Sequence, residues 1–354
     1  MEYRILPKDN LNEFVKRLGK AGQVYGPVQQ GEDDFSFEPV SSADEIAWHY
    51  INTAIPAKKL LLPQTEPLFQ FSTSGPAELK PIYDTEKRIL FGVRSCDVSA
   101  IAYLDKVFAD DYPDIYYLSR RQNLTIISLT CQRPGNSCFC ICADCGPFLE
   151  RGFDVQMTDL GDKFLLEVAT EKGKELMAGM NDLLSDSSSL DVERRNELAR
   201  ATEDKFLDTT TYFSQAVRKI TTEKVPKDIW VELGDKCLAC GGCSYVCPTC
   251  SCFNVVDHIE DGVGIRSRRW DSCALAGFTR MAGGHNPRRE KQDRRNRRFY
   301  HKLSYYYVEI MGRHGCVGCG RCIDVCLGDI GMSKVVHMIK KPAAEAAEAE
   351  QAAK

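Results

Sequence analysis

Hydrophobic and polar positions divide the first half of the chain into short, legible segments. DNLNEFVKRLGK, residues 9–20, carries apolar residues at helical spacing and predicts a short amphipathic helix. VYGPV and DFSFEPV, shortly after, predict strands. RILFGV, residues 88–93, is a nearly unbroken apolar run and predicts a buried strand. Beyond it Val98, Ile101, Leu104, Val107 and Phe108 form one face of a helix, with Asp97 placed to cap it. LTIISLT, residues 124–130, predicts the next buried strand. Strand, helix, strand implies a parallel pair whose ends share one sheet edge. GFDVQMTDL and KFLLEVAT, joined across Leu160-Gly161-Asp162, predict a hairpin. SDSSS at 185–189 reads as a loop and the charged stretch 191–224 as helix.

Composition adds little until cysteine is counted. Of 354 residues, 43% are hydrophobic and 27% charged, with a net charge of −4, which is ordinary for a globular chain and gives no global pull toward nucleic acid or anionic lipid. No apolar run approaches the roughly 18 residues of a membrane span. The opening MEYRILPKDNLNEF lacks the basic stretch and apolar core of a signal peptide, so a cytoplasmic protein is expected. Seventeen cysteines, an odd number in tight groups, then argue for metal ligation over disulfides.

Spacing selects the metal. Cys237, Cys240, Cys243 and Cys247 follow C-x2-C-x2-C-x3-C with Pro248 next, the bacterial ferredoxin run for a [4Fe–4S] cube. Zinc ribbons use two C-x2-C pairs split by a longer loop. The run recurs at Cys316, Cys319, Cys322 and Cys326, with Leu327 in the proline position. In two-cluster ferredoxins the fourth cysteine of each run serves the other cube. One cluster is therefore expected on Cys237, Cys240, Cys243 and Cys326, and a second on Cys316, Cys319, Cys322 and Cys247. Between Cys247 and Cys316 lie 68 residues, a long insertion whose ends must return to one point.

A third cluster is expected in the first half. Cys96 lies just past the strand 88–93 and Cys131 just past 124–130. Ligands of α/β sheets gather beyond such carboxyl ends. The loop QRPGNSCFCICADCGP follows, making Cys96, Cys131, Cys138 and Cys140 the favoured ligand set, against the alternative of inert half-buried thiols. Cys142, Cys145, Cys250, Cys252 and Cys273 have no role assigned by spacing; Cys250 and Cys252 are expected close behind the first cluster.

The insertion is basic: residues 266–302 hold twelve Lys or Arg against three Asp or Glu. A solvated helical face, a nucleic-acid surface using Trp270, Phe299, Tyr300 and His301, and a cationic surround for anionic clusters all fit. The third is favoured, because clusters with four thiolates carry negative charge that increases on reduction. No G-x-G-x-x-G follows a predicted strand and no Walker motif occurs, so no nucleotide site is visible. Of six scattered histidines, His285 beside Gly283-Gly284 is the most tempting, and it reads as a packed or hydrogen-bonded residue. No catalytic nucleophile with an obvious base is found.

The expected class is α+β. An N-terminal α/β-type domain (1–184) leads through a helical connector (185–225) to a bacterial-ferredoxin-like two-cluster domain (226–338). That domain is split by a basic, partly helical insertion (253–315) and followed by a low-complexity tail (339–354).

FGVRSCDVSAI, the CFC at 138–140, CPTCSCF, RRWDSC, FTRMAGGHNPR, RRFYHKL and CVGCGRC together resemble the iron–sulfur beta subunit of cytoplasmic [NiFe] sulfhydrogenases. The same motifs are similar to the A subunit of anaerobic sulfite reductase and to subunits accompanying heterodisulfide-reductase-type complexes. The resemblance covers roughly residues 85–335 and is weaker at the N-terminus. It implies a subunit carrying two ferredoxin-type clusters and more, working between a flavin subunit that handles NAD(P)H and a catalytic subunit for hydrogen, sulfur or sulfite. Cys142 and Cys145 are additions to the family pattern, and Leu327 departs from it. Two other functions are weighed beside this relay. One is an oxidoreductase in its own right, with flavin or substrate at the N-terminal sheet edge. The other is a cluster-bearing nucleic-acid-binding protein using 266–302, which is disfavoured.

Overall fold

The computed structural model describes residues 1–74, 76, 78–206 and 211–340. Residues 339 and 340 of the expected tail close the last helix, and 341–354 lie outside the described residues. The chain divides into two units: Met1–Asp208, Pro248–Trp270 and Val317–Cys319 form the first, and Thr209–Cys247, Asp271–Cys316 and Gly320–Lys354 the second.

The first unit holds β1 (Glu2–Pro7), α1 (Leu11–Ala21), β2 (Gln23–Gln29), β3 (Phe35–Pro39), β4 (Thr65–Ser72) and β5 (Leu79–Pro81). There follow β6 (Arg88–Val93), α2 (Ser95–Ala109), α3 (Ile115–Gln122), β7 (Leu124–Leu129), β8 (Val155–Asp159), β9 (Lys163–Val168), α4 (Glu171–Ala178), β10 (Ser185–Asp186) and α5 (Ser189–Asp204). The hairpin β11 (Phe253–Glu260) and β12 (Val263–Trp270) completes it. An eight-stranded mixed sheet runs β10-β1-β9-β8-β7-β6-β2-β3, parallel from β2 through β6 and β7 to β8. Ile89 to Val93 of β6 are all buried, which explains the unbroken apolar run: a parallel strand covered on both faces has no polar side. Phe14, Leu18, Phe91, Ile127, Val155 and Leu166 belong to the core around this sheet.

Several local expectations are corrected. Helix α2 begins at Ser95 with Arg94 in the cap position, so Asp97 sits in the first turn, where its carboxylate favours the positive end of the helix dipole. Ser185–Asp186 is a short strand on β1, and Ser188 caps α5 through a capping box with Asp191. The stretch expected as continuous helix over 191–224 breaks, with 207–210 outside the described residues. The first part of the expected insertion is a hairpin turning on Asp261-Gly262, both at positive φ, and β12 pairs with β4 in a four-stranded sheet β11-β12-β4-β5. Those ladder bonds place 253–270 in the first unit. They are locked by a buried network in which Glu66 of β4 accepts from Arg120 and Arg268, while Arg268 also pairs with Asp114.

The second unit is helical among its described residues: α6 (Ser214–Thr221), α7 (Lys227–Lys236), α8 (Gly242–Tyr245), α9 (Lys291–Leu303), α10 (Tyr305–Met311), α11 (Arg321–Asp324) and α12 (Met332–Lys340). Helix α6, expected in the connector, belongs here. Trp230 of α7 stacks on Phe299 of α9 with centroids 6.3 Å apart. No helix among the described residues is long and apolar enough to cross a membrane.

Candidate metal centres

The two ferredoxin runs adopt the same backbone. In each, the residue two beyond the first cysteine and the residue after the second lie at positive φ: Ala239 (55°) and Gly241 (81°), then Gly318 (66°) and Gly320 (81°). A short helix follows each, α8 and α11, and delivers the fourth cysteine, Cys247 or Cys326. Left-handed residues in such a loop turn successive N–H groups inward, a nest suited to an anion. The Ala239 N–H donates to Cys237 Sγ at 3.3 Å, and the Ile330 N–H to Cys326 Sγ at 3.4 Å.

In the second unit Cys237, Cys240 and Cys243 of the first run and Cys326 of the second line one cavity, together with Arg295. These are the four residues expected to share a cube. Arg295 is 3% exposed; its Nη1 donates to Cys243 Sγ at 3.6 Å, while Nε and Nη2 are buried without a hydrogen-bond partner among the described residues. Lys291 Nζ donates to the Cys237 carbonyl at 3.0 Å. Much of the basic stretch is thus turned inward. Arg294, Arg295, Arg298 and Lys302 of α9 are buried, as is Arg321, whereas no Asp or Glu described in this unit is buried.

Of the second expected set, Cys316, Cys322 and Cys247 belong to this unit and Cys319 to the first. Burial pushes the Cys322 thiol up, the Arg298 guanidinium draws it back, and the nearby Cys247 and Cys243 push it further up. His301, beside Cys247, is driven down to about 3 by burial and by Lys302 and Arg297, and its neutral ring packs 4.6 Å from Tyr307. His285, expected to be packed or hydrogen-bonded, is exposed, and its carbonyl accepts from the Met281 N–H at 2.8 Å.

In the first unit Cys96, Cys131, Cys138 and Cys140 line one cavity at the carboxyl edge of β6 and β7, with Cys319 as a fifth. Cys96 lies in the first turn of α2, and Cys131 two residues beyond β7. Parallel pairing of β6 with β7 is what brings them to one edge. Burial pushes the Cys140 thiol well up, and Cys138, Cys131 and Cys145 add to it. The Phe139 N–H donates to the Gly318 carbonyl at 2.8 Å. A Cβ on Gly318 would stand 2.5 Å from the Phe139 carbonyl, so only glycine lets the ferredoxin loop lie this close to the CFC segment.

Sequence reasoning missed Asn52. Its Nδ2 donates to the Cys319 carbonyl at 2.7 Å and lies 3.9 Å from Cys138 Sγ, while its Oδ1 faces Cys96 Sγ at 3.8 Å. No motif marks it. Cys145 is buried with its Sγ 3.1 Å from the Ala143 carbonyl, and Cys142 lies in the same short turn. Cys250 and Cys252 fall in the first unit, where Lys58 Nζ donates to the Cys250 carbonyl at 2.8 Å; Cys273 falls in the second, 4.0 Å from Ser244 Oγ. A cleft of about 680 Å³ opens at the opposite, amino edge of β6 and β7 and contains no cysteine; its Arg17 and Arg88 are paired with carboxylates.

The donor chemistry fits [4Fe–4S] clusters. Among the described residues no group of three or more His, Cys, Asp or Glu closes on a single ion. The cysteines instead surround cavities, as ligands at the corners of a cube must. Backbone N–H donors to sulfur and partnerless guanidinium nitrogens beside thiols supply the hydrogen bonds and charge an anionic cluster takes up.

Residues 236–330 match the family described as a 4Fe–4S dicluster domain. The whole chain is similar to sulfhydrogenase 2 subunit beta of Pyrococcus furiosus, with 33% identity over 342 residues, spanning 96% of this chain and 99% of the relative. No solved structure matches it.

Proposed function

Since the chain belongs to the family of sulfhydrogenase beta subunits, we propose that it relays single electrons through three [4Fe–4S] centres inside a cytoplasmic multisubunit complex. Two are of ferredoxin type, on Cys237, Cys240, Cys243 and Cys326, and on Cys316, Cys319, Cys322 and Cys247. The third takes Cys96, Cys131, Cys138 and Cys140. When bound, clusters supply one-electron carriers; the chain spaces them, shields them and biases their potentials. The donor side would be a flavin subunit handling NAD(P)H. The acceptor side would be a catalytic subunit of hydrogenase, sulfite reductase or heterodisulfide reductase type.

One observation carries this reading. Cysteines of both runs converge on the cavity expected from crossed ligation, against a buried Arg295 with two partnerless nitrogens. The inward-facing cations of α9 also weaken the nucleic-acid alternative, because buried guanidiniums cannot meet phosphate.

Iron and acid-labile sulfide on anaerobically purified protein, with EPR after dithionite reduction, test the proposal. About twelve irons with matching sulfide are expected; about eight would leave Cys96, Cys131, Cys138 and Cys140 as structural thiols, and zinc without sulfide would overturn the relay. Crossed ligation has its own test: Cys326→Ser should damage the centre of the first run and spare that of the second.

A further inference from the structure

We infer that Arg94 is the counter-charge of the third centre and raises its reduction potential, an inference resting on the proposal that Cys96, Cys131, Cys138 and Cys140 hold a cluster. Arg94 occupies the position just before α2, two residues before Cys96, is 8% exposed and lines the same cavity as those cysteines. Its guanidinium stacks over the Tyr50 ring at 4.3 Å. Nη1 donates to the Thr130 carbonyl at 3.1 Å and Nη2 to the Tyr50 carbonyl, while Nε is buried with no partner. These contacts gather three segments that build the site. Thr130 directly precedes Cys131, Tyr50 lies two residues before Asn52, and Arg94 itself leads into Cys96.

Carbonyl dipoles orient a cation without neutralising it, and among the described residues no carboxylate pairs with Arg94. The other buried guanidiniums of this unit are treated differently: Arg120 and Arg268 share the carboxylate of Glu66. A buried charge that lacks such a partner is costly unless another anion serves. The group implied by the adjacent cavity is that anion. A cube held by four thiolates carries net negative charge and gains one more unit on reduction. A fixed cation beside it therefore favours the reduced form, and the potential rises.

Redox titration of the full-length, cluster-loaded chain followed by EPR, with iron per chain measured in parallel, tests this on Arg94→Gln and Arg94→Lys. The expected result is a lower midpoint potential for one set of signals in Arg94→Gln, substantial recovery in Arg94→Lys, and unmoved ferredoxin-type signals in both. Loss of about four irons in Arg94→Gln but not in Arg94→Lys would also support the charge role. Full iron with no potential shift in Arg94→Gln would overturn it. So would loss of the cluster from both variants, which would make the residue a packing element. About eight irons in the unmutated chain would remove the third centre itself, a failure distinguishable from that of Arg94 alone.

Discussion

Arg295→Met tests the charge balance of the first ferredoxin-type site most directly, because methionine keeps much of the hydrocarbon and removes only the cation. In the structure the guanidinium is 3% exposed and reaches Cys243 Sγ at 3.6 Å. The electron added on reduction spreads over the cube, so the relevant separation is longer than the sulfur contact, about 6 Å. Unit charges at that distance and an effective dielectric near 20 interact by about 3 kcal/mol. For a one-electron couple about 59 mV corresponds to 1.4 kcal/mol, which places the full effect near 120 mV. Water entering the vacated space would screen roughly half of it, so a fall of about 60–120 mV is expected in one centre. Losing a hydrogen bond to sulfur acts in the same direction. EPR-monitored potentiometry of the loaded protein reads this out. A shift under about 20 mV at full iron content, or an equal shift in every centre, would refute local compensation by Arg295.

Three further outcomes are expected. Gly318→Ala should cost about 1–2 kcal/mol from the left-handed backbone alone, and more from the collision with Phe139. Both the thermal midpoint and iron content should fall. Glu66→Gln should destabilise the first unit by about 3–5 kcal/mol, because two buried guanidiniums lose their shared carboxylate; a lower urea midpoint with unchanged slope would show it. Leu327→Pro should be neutral or stabilising by about 0.4–1 kcal/mol. Among the described residues the Leu327 N–H has no hydrogen-bond acceptor, the residue is 89% exposed, and the matching position in the first run is already Pro248. A lower melting temperature would show that the two runs differ at this turn.

What could be read in the sequence follows from what each signal depends on. Strands β6 and β7 and the β8–β9 hairpin were legible because burial on both faces, or a Gly-centred turn between apolar runs, leaves a local trace. The parallel pairing of β6 and β7 then located Cys96 and Cys131 on one edge without any motif. The hairpin β11–β12 escaped notice because most residues of β11 are exposed, so no alternation of polarity marks the strand; Asp261-Gly262 was the available signal. A cationic surround for the clusters was the favoured reading of the basic stretch, but which of its arginines face inward could not be read. RREKQDRRNRRFYHK looks like a solvated face, and only the tertiary surroundings of α9 show which cations are buried. Asn52 was invisible for the same reason, since its partners lie 44 to 267 positions away.

The treatment of buried guanidiniums ties these observations together. In the first unit, away from the cysteine cavity, Arg120 and Arg268 share the carboxylate of Glu66. Among the described residues, Nε of Arg94 in the first unit and Nε and Nη2 of Arg295 in the second are buried beside a cysteine cavity without a hydrogen-bond partner; Arg4 and Arg88 also bury an unpartnered Nε, but each meets carboxylates through its other nitrogens. The two cavities are built by unrelated local structures, one by the edge of a parallel sheet and the other by paired ferredoxin loops. A requirement for negative charge at each cavity accounts for both, and the clusters proposed above would meet it. The same requirement gives the cations a direction of action. By favouring the more negative redox state, they would hold each proposed centre at a higher potential than thiolate ligation alone would give, so removing either arginine should make its own centre a stronger reductant and leave the other unchanged.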